Sequence, residues 1–289
     1  MFNRILFPTD FSKEGYNALR YAISLTKFVD GELIVQHVVN NFFGPHSHWA
    51  SLFDVHGLQK QMDFHVDAEV MTLLPEEAKS RAIIRPLILQ GKPAEQICNV
   101  AREEMVDLVV MGRMGSTGGV TTMQVVRNTA RPVLSVPLDN LDPGAASSVE
   151  RILVATDFTR ESKRVTDYAF EIKRTLLKCP FYFIHAVKAP GALERVLEQV
   201  DASLDRSRTW AQNQTQNVTP AEFMADGSVS TLVKLGRTSD CIVDAAEQIN
   251  ASLIIMGAKG YSTGQGYFYG TTVNRVLNNV KCPVLTLQV

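Results

Sequence analysis

The sequence predicts two tandem α/β domains, each a doubly wound, Rossmann-like fold on a five-stranded parallel sheet. Three observations lead to this fold class. The chain repeats itself, each repeat alternates short apolar runs with segments of helical periodicity, and some of the apolar runs have no polar face. The 289 residues are enough for two units of about 140 residues, each able to bury its own core.

The internal repeat is the first of these observations. Residues 4–27, RILFPTDFSKEGYNALRYAISLTK, align without gaps with residues 151–174, RILVATDFTRESKRVTDYAFEIKR. Residues 91–112 match 236–257 in the same way, and RPVLSV from Arg131 matches CPVLTL from Cys282. The segment from Asp139 to Glu150 is polar and small, with Pro and Gly, as linkers are. We therefore predict one domain over residues 1–139 and a second over residues 150–289.

Each half follows the same order of elements. A first strand ends in a carboxylate and precedes a helix whose apolar residues recur three or four positions apart. The fourth strands are apolar up to their glycine, so helices must cover the sheet on both sides and make right-handed crossovers. The strand segments, in pairs from first to fifth, are ILFPTD and ILVATD, ELIVQHVV and PFYFIHAV, IIRPLILQ and VSTLVKLG, DLVVMG and SLIIMG, PVLSV and PVLTLQV.

Composition excludes several classes of function. The formal net charge is -1, and no long run of one sign indicates nucleic acid or an anionic membrane as a partner. No apolar run approaches the roughly 18 residues that a membrane helix needs, and no signal-peptide pattern is present, so we expect a cytoplasmic protein. The cysteines lack C-x-x-C spacing, which favours reduced, buried thiols: Cys98, Cys179, Cys241 and Cys282.

The candidate site lies where ligands bind in open α/β sheets, beyond the carboxyl ends of the strands. In the second half the first strand ends at Asp157, the second at Ala186 and Val187, and the fourth at Gly257. A glycine-rich loop, GAKGYSTGQGYFYGTT, follows from Gly257 to Thr272. Because parallel strands end at the same edge, these residues are expected to converge on one crevice.

The glycine loop has the chemistry of a phosphate cradle. Glycine at 257 and 260 lets backbone N–H groups approach an anion closely, and Gly270 opens the next helix. Thr271 and Thr272 add hydroxyls at the helix N-terminus, where the dipole favours negative charge. The alternative is a flexible connection between a strand and a helix.

Common phosphate motifs do not fit this loop. The chain has no G-x-x-x-x-G-K-[ST], and the glycines at 264, 266 and 270 are misspaced for a dinucleotide fingerprint. What fits is G-x2-G-x9-G-[ST], from Gly257 to Thr271. Two further features accompany this spacing: an Asp in a context like PTDFS at the end of the first strand, and HV at the end of the second strand. With these three features the chain resembles the universal stress protein family over nearly its whole length.

The resemblance implies a Rossmann-like fold of the adenine nucleotide alpha hydrolase type and a stress-response regulator that binds ATP, ADP or AMP, with or without Mg²⁺. Asp157 would contact the ribose or the adenine, and the backbone near Ala155 and Ala186 the adenine. Lys259 either contacts a phosphate as a point charge or keeps the loop soluble. The phosphate-binding positions that it implies are Gly257, Gly260, Gly270, Thr271 and Thr272.

The first half has a shortened version of this loop. Its Pro8, Asp10 and Val38 match the family pattern, but only three residues separate Gly115 from Gly119, against nine in the second half. Val120 stands where the second half has Thr271. We therefore predict one triphosphate-competent site per chain, in the second half.

Other interpretations stay open at this stage. The two aspartates could be ordinary helix N-terminal carboxylates, with Ser12 and Thr159 as caps. A slow ATPase or nucleotide-transfer enzyme, or a nucleotide-free interaction protein, would share the fold. We assign no catalytic residue, because a base or water-orienting group beside the phosphates is missing from the pattern.

Two further expectations concern metals and assembly. The histidine-rich stretch matches no zinc spacing, so we assign no metal ligand among His46, His48, His56 and His65. The resemblance implies that the fifth strands, around Val133 and Val284, meet across a pseudo-twofold as an intrachain pseudo-dimer. Because a bare apolar edge strand invites pairing, this arrangement agrees with the physics of sheets. We also expect a homodimer of whole chains.

Overall fold

The chain divides into two compact units, Met1–Ser148 and Val149–Val289. A computed structural model describes the following residues: 2–10, 12–39, 60, 83–113, 119–137, 149–176, 179–187, 197–225, 227–258 and 271–288. Each unit is an α/β structure with five parallel strands among its described residues, which confirms the predicted fold class.

The N-terminal unit has a parallel sheet in the order β3-β2-β1-β4-β5. The chain leaves β1 towards β2 and β3, then returns to β4 on the other side of β1, so the winding direction reverses between β1 and β4. The described elements of this unit are β1 (Arg4–Thr9), α1 (Lys13–Val29), β2 (Glu32–Val39), β3 (Ile83–Gln90), α2 (Pro93–Glu103), β4 (Leu108–Gly112), α3 (Val120–Asn128) and β5 (Val133–Val136).

The C-terminal unit repeats this topology, with its strands in the order β8-β7-β6-β9-β10. Its reversal point lies between β6 and β9, which pair directly. The described elements are β6 (Ile152–Ala155), α4 (Lys163–Leu176), β7 (Phe181–Val187), α5 (Leu197–Val218), a 3-10 turn (Ala221–Phe223), β8 (Val229–Leu235), α6 (Thr238–Gln248), β9 (Leu253–Gly257), α7 (Thr271–Asn279) and β10 (Val284–Leu287).

The helix after the first strand shows how sequence sets an element. Ser12 caps α1, and its hydroxyl accepts a hydrogen bond from the Gly15 N–H at 3.2 Å. Asp30 ends the helix in the left-handed conformation, with φ of 53°. The predicted apolar face is buried against the sheet, with Ala18 and Ala22 almost wholly covered. In α4 the same face is buried through Val165, Ala169 and Ile172.

The cysteines are free thiols, as the sequence predicts. Cys179, Cys241 and Cys282 are buried, and Cys98 is half-buried. Burial raises the pKa of Cys179 to about 11 against the smaller opposing effect of the Lys173 charge, so this thiol stays protonated at neutral pH.

None of the helices described here combines the length and the apolar character that crossing a membrane requires. The expected meeting of the fifth strands and the expected homodimer stay predictions.

Candidate functional site

Three strand ends of the C-terminal unit come together as the sequence predicts. Ala155, the last residue of β6, is in register with Ile184 of β7 on one side and Met256 of β9 on the other. Ala186 and Gly257 therefore lie one or two residues further along the neighbouring strands, at the same edge of the sheet. The structure thus places Ala155, Ala186 and Gly257 around the point where the winding reverses.

Asp157 follows β6 and is exposed at this edge. Its Oδ1 accepts hydrogen bonds from the backbone N–H of Thr159 at 3.1 Å and from the Thr159 hydroxyl at 2.7 Å. The equivalent Asp10 does the same for the backbone N–H of Ser12, at 2.9 Å. Each aspartate therefore orders the turn before its helix, which is the structural role left open by the sequence, while its carboxylate remains at the edge.

The turn after β6 holds an aromatic residue in an unusual conformation. Phe158 has φ of 57°, a left-handed backbone that bulky residues rarely adopt. Its N–H donates to the Thr156 hydroxyl at 3.0 Å, and that hydroxyl donates to Ser162 Oγ, also at 3.0 Å. This network fixes the direction in which the Phe158 ring leaves the chain.

The Phe158 ring belongs to an aromatic cluster that sequence reasoning missed, formed by Phe158, Phe183, His185 and Trp210. The ring centroid of Phe158 lies 5.7 Å from that of Trp210, and the His185 ring lies 5.0 Å from Trp210. Trp210 comes from α5 and is 42% exposed. Sequence periodicity does not predict that Trp210 lies near the end of β7, because this contact depends on how α5 packs.

His185 packs within this cluster. Burial lowers its pKa, and the backbone of Thr156 and the carboxylate of Asp157 offset part of that shift. Its Nδ1 is buried and makes no hydrogen bond of ordinary geometry among the described residues. In the N-terminal unit, His37 Nδ1 instead lies 2.8 Å from the carbonyl oxygen of Thr9. A neutral imidazole at position 185 leaves Asp157 as the charged group beside it.

The helix after the glycine loop, α7, begins at the last position of the G-x2-G-x9-G-[ST] motif. Thr271 is the first residue of α7 and is exposed, and Thr272 is half-buried. At the other end of the loop, Ala258 is buried and its N–H donates to the Leu287 carbonyl at 2.7 Å. Lys259, Gly260 and Gly270 lie outside the described residues, so the predicted phosphate cradle stays a prediction.

The links from the fourth strand of each unit to the next helix differ in length by six residues, as the sequence indicates. β4 ends at Gly112 and α3 begins at Val120, with seven residues between them, whereas β9 ends at Gly257 and α7 begins at Thr271, with thirteen residues between them. Gly119 precedes α3 with φ of 50°.

A cavity of about 270 Å³ lies at the same edge in the N-terminal unit. The ends of β1 and β4 and the start of α3 line it, together with Gln36 of β2 and Ile97 of α2. The Thr122 hydroxyl donates to the Gly112 carbonyl at 3.2 Å and ties the helix to the strand. The sequence does not predict this cavity, because the short loop of the first half argues only against a triphosphate site there.

Metal binding finds no support in the part of the chain that the structure describes. Within it, no three His, Cys, Asp or Glu side chains gather where they could hold an ion. His46, His48, His56 and His65 lie outside the described residues.

The chain resembles known proteins along its whole length. The sequence pattern of the Universal stress protein family matches residues 1–137 and again residues 148–288. Universal stress protein MJ0577 of Methanocaldococcus jannaschii is 29% identical over an alignment of 159 residues, which covers 48% of this chain and 98% of that protein.

A solved structure that spans this chain shows the same fold. The crystal structure of a universal stress protein from Archaeoglobus fulgidus covers 100% of this chain and 99% of its own, at 20% identity and a TM-score of 0.64. A universal stress protein in complex with cAMP matches 48% of this chain and 98% of its own, at 18% identity and a TM-score of 0.36. On the strength of the two matches along its length, the chain belongs to the universal stress protein family.

Proposed function

We propose that the C-terminal unit binds ATP or another adenine nucleotide, and that binding makes the protein a nucleotide-dependent regulator in a stress response. The observation that carries the proposal is the meeting of β6, β7 and β9 at one edge, followed by a thirteen-residue link to α7. Open α/β sheets bind ligands at this reversal point.

The start of α7 supports the phosphate end of the proposed site. The first four N–H groups of a helix have no partner inside the helix, and the dipole adds positive potential there. Thr271 is exposed at the first position of α7, so its hydroxyl and backbone N–H are accessible to an anion. The sequence of the link contains Gly257, Gly260 and Gly270, whose backbone N–H groups would be donors that no Cβ obstructs.

The end of β6 supports the nucleoside end. Ala155 and Ala186 are half-buried and small, which leaves room for a flat base against the strand ends. Asp157 is held by Thr159 in a fixed turn, which suits a carboxylate that accepts hydrogen bonds from ribose hydroxyls. In this site Mg²⁺ would neutralise the phosphates.

We propose binding and not catalysis. Phosphoryl transfer needs a positioned base or a water-orienting residue beside the phosphates. Among the described residues at this edge, Asp157 accepts hydrogen bonds from Thr159 and His185 packs in the aromatic cluster, so we assign neither of them the role of a base. We also propose a cytoplasmic location, where free thiols such as the four of this chain are stable.

The experiment is an ATP titration of the full chain by calorimetry. We expect one ATP per chain, and we expect mass spectrometry of the purified protein to detect an adenine nucleotide. The variant Gly257→Val with Gly260→Val should lose ATP binding. Gly112→Ala is the matched control, since its added Cβ would lie 3.5 Å from the nearest atom, an ordinary contact, and ATP binding should persist.

Two outcomes would contradict the proposal. If the unmodified chain does not bind millimolar ATP, the second loop is a structural remnant and the protein acts through protein contacts alone. If the double valine variant keeps its ATP affinity, the nucleotide binds elsewhere. ATP turnover that disappears with the double variant would instead favour the slow enzyme.

A further inference from the structure

We infer that Phe158 is a positioning residue, which couples the carboxylate of Asp157 to the exposed Trp210 on the face of the sheet opposite to α7. Bound nucleotide and the outer surface of α5 then affect each other. This inference rests on the proposed function, because Asp157 is the proposed ribose contact. It adds a route by which an occupied site alters the surface of the unit.

The aromatic cluster lies on the face of the sheet away from the proposed phosphate positions. The Phe158 ring contacts Phe183 and His185 of β7, which share one face because side chains alternate along a strand. The helix α5, which carries Trp210, covers this face. Because crossovers in parallel sheets are right-handed, the helices that follow the return from β8, α6 and α7, cover the other face. A link between the two sides must therefore pass through the turn after β6.

The backbone of Phe158 is unfavourable and needs support. A left-handed conformation, with φ of 57°, is rare for a bulky residue and persists only where the surroundings hold it. Its N–H donates to the Thr156 hydroxyl at 3.0 Å. Its ring packs edge-to-face on Trp210, with the ring centroids 5.7 Å apart. The ring contacts thus stabilise a backbone conformation that phenylalanine disfavours.

Three hydroxyls join this backbone to the Asp157 carboxylate. The Thr156 hydroxyl donates to Ser162 Oγ at 3.0 Å, and Ser162 Oγ donates to the carbonyl oxygen of Thr159, also at 3.0 Å. The Thr159 hydroxyl in turn donates to Asp157 Oδ1 at 2.7 Å. Each hydroxyl has one proton to donate, and each uses it within the turn. The carboxylate and the aromatic ring are therefore two ends of one hydrogen-bonded turn.

This turn provides the two states that coupling requires. In one state Phe158 is left-handed and its ring contacts Trp210, and in the other the backbone relaxes to negative φ and the ring contact is lost. Ribose hydroxyls that bind Asp157 favour the first state, in which the carboxylate is in place. Because coupling is reciprocal, a weakened ring contact also weakens ribose binding. Trp210 is 42% exposed, so this route ends at the surface.

The experiment compares ATP with 2′,3′-dideoxy-ATP, which lacks both ribose hydroxyls, by calorimetry on the full chain. In the unmodified chain we expect dideoxy-ATP to bind about tenfold more weakly, by the loss of a hydrogen bond to a charged group. Phe158→Ala removes the ring but keeps a residue that disfavours the left-handed backbone. We expect this variant to bind ATP about tenfold more weakly, at the level of dideoxy-ATP, and to bind dideoxy-ATP as before.

Two further variants separate positioning from general packing. Phe158→Asn removes the ring but tolerates the left-handed backbone, so it should recover most of the preference for ATP over dideoxy-ATP. Phe223→Ala is the matched control, because it removes a ring that stacks on Phe170 in the same unit, with centroids 5.8 Å apart. The ratio of the two affinities should stay at its original value in this control. The melting temperature checks the folding of each variant.

The emission of Trp210 gives a second readout. In a Trp49→Phe background Trp210 is the remaining tryptophan of the chain, so its emission reports on the cluster. We expect saturating ATP to change this emission, and saturating dideoxy-ATP, which carries the same base and phosphates, to leave it unchanged. In Phe158→Asn the response to ATP should be lost although ATP still binds, since the ring that reaches Trp210 is gone.

Three results would overturn the inference and leave the nucleotide site in place. They are dideoxy-ATP that binds the unmodified chain as tightly as ATP, an unchanged ratio of the two affinities in Phe158→Ala, and Trp210 emission that does not respond to saturating ATP. A chain that binds no ATP at all contradicts the proposed function, and this inference with it.

Discussion

Seven residues join β4 to α3 in the N-terminal unit, where Gln36 lines a cavity, and thirteen residues join β9 to α7 in the C-terminal unit, where Ile184 replaces the amide. Strand order and register are otherwise alike in the two units. The comparison separates what the duplicated scaffold supplies, an edge where strand ends converge, from what a few substitutions supply. On our proposed function, the length of this loop decides whether a unit holds the phosphates of a nucleotide.

The largest expected effect comes from making the two links equal. Deleting residues 261–266 leaves three residues between Gly260 and Gly270, the spacing of the first half. We expect ATP affinity of the full chain to fall roughly 1,000-fold, equivalent to about 4 kcal/mol, because the shortened loop cannot reach round the phosphates. Calorimetry measures this fall, with the melting temperature of the shortened chain as the control for folding. ATP affinity within tenfold of the original would show that loop length is not the difference that matters.

A buried lysine distinguishes the cores of the two units. Lys173 is 2% exposed; its Nζ donates to the Cys179 carbonyl at 2.8 Å and lies 5.0 Å from the centre of the Phe181 ring. We expect Lys173→Ala to lower the free energy of unfolding of the C-terminal unit by about 3 kcal/mol, because it leaves a cavity and removes the partner of a buried carbonyl. Hydrogen exchange of the β6 amides measures this loss.

The equivalent residue of the N-terminal unit is the matched control. Thr26 is also buried, and its hydroxyl donates to the Ala22 carbonyl at 2.8 Å. Thr26→Ala should cost about 1 kcal/mol, the value of one hydrogen bond, measured on the β1 amides. Equal losses at the two positions would mean that Lys173 adds nothing beyond an ordinary buried contact.

These core and cavity residues mark the limit of sequence reasoning. The strands were predictable because apolar runs bounded by turn residues repeat twice, and β2 and β3 span the residues expected, Glu32–Val39 and Ile83–Gln90. Gln36 and Lys173 interrupt apolar patterns and would ordinarily be assigned to exposed positions. Their burial depends on which helix covers each strand, and short-range periodicity does not contain that information.

The candidate site also contains some residues that the sequence predicts and others that it does not. Convergence of Ala155, Ala186 and Gly257 follows from a parallel sheet and was predictable from the strand ends alone. The left-handed Phe158 and its contact with Trp210 depend on local hydrogen bonds and on the packing of α5. Side chains that act at strand ends can therefore be found from sequence, whereas those supplied by a packed helix cannot.

A smaller effect is expected from the hydroxyl at the start of α7. Thr271→Val gives this helix the residue that begins α3, and both positions are exposed, so folding should not change. We expect ATP affinity to fall about tenfold, by the loss of one hydrogen bond to a charged group. The reciprocal variant Val120→Thr should leave ATP stoichiometry at one per chain. Two ATP per chain in Val120→Thr would mean that the hydroxyl, and not the loop, is what the first unit lacks.

The smallest effect concerns acid stability and His185. Burial lowers the pKa of this imidazole in the folded protein below its ordinary value of 6.5. As the pH falls below about 6.5, His185 binds a proton more readily in the unfolded chain than in the folded one. The free energy of unfolding is therefore unaffected by this group above about pH 6.5 and decreases as the pH falls below it.

His185→Phe keeps an aromatic ring in the cluster and removes the titrating group. We expect the free energy of unfolding of the C-terminal unit to depend less on pH between 7.5 and 5.5 in this variant than in the original chain. Trp210 lies 5.0 Å from His185, so its fluorescence in a Trp49→Phe background follows unfolding of this unit in urea at each pH. Because the other histidines and the carboxylates are common to both proteins, the difference between the two curves isolates His185. Parallel curves would mean that the imidazole is as readily protonated in the folded cluster as in the unfolded chain.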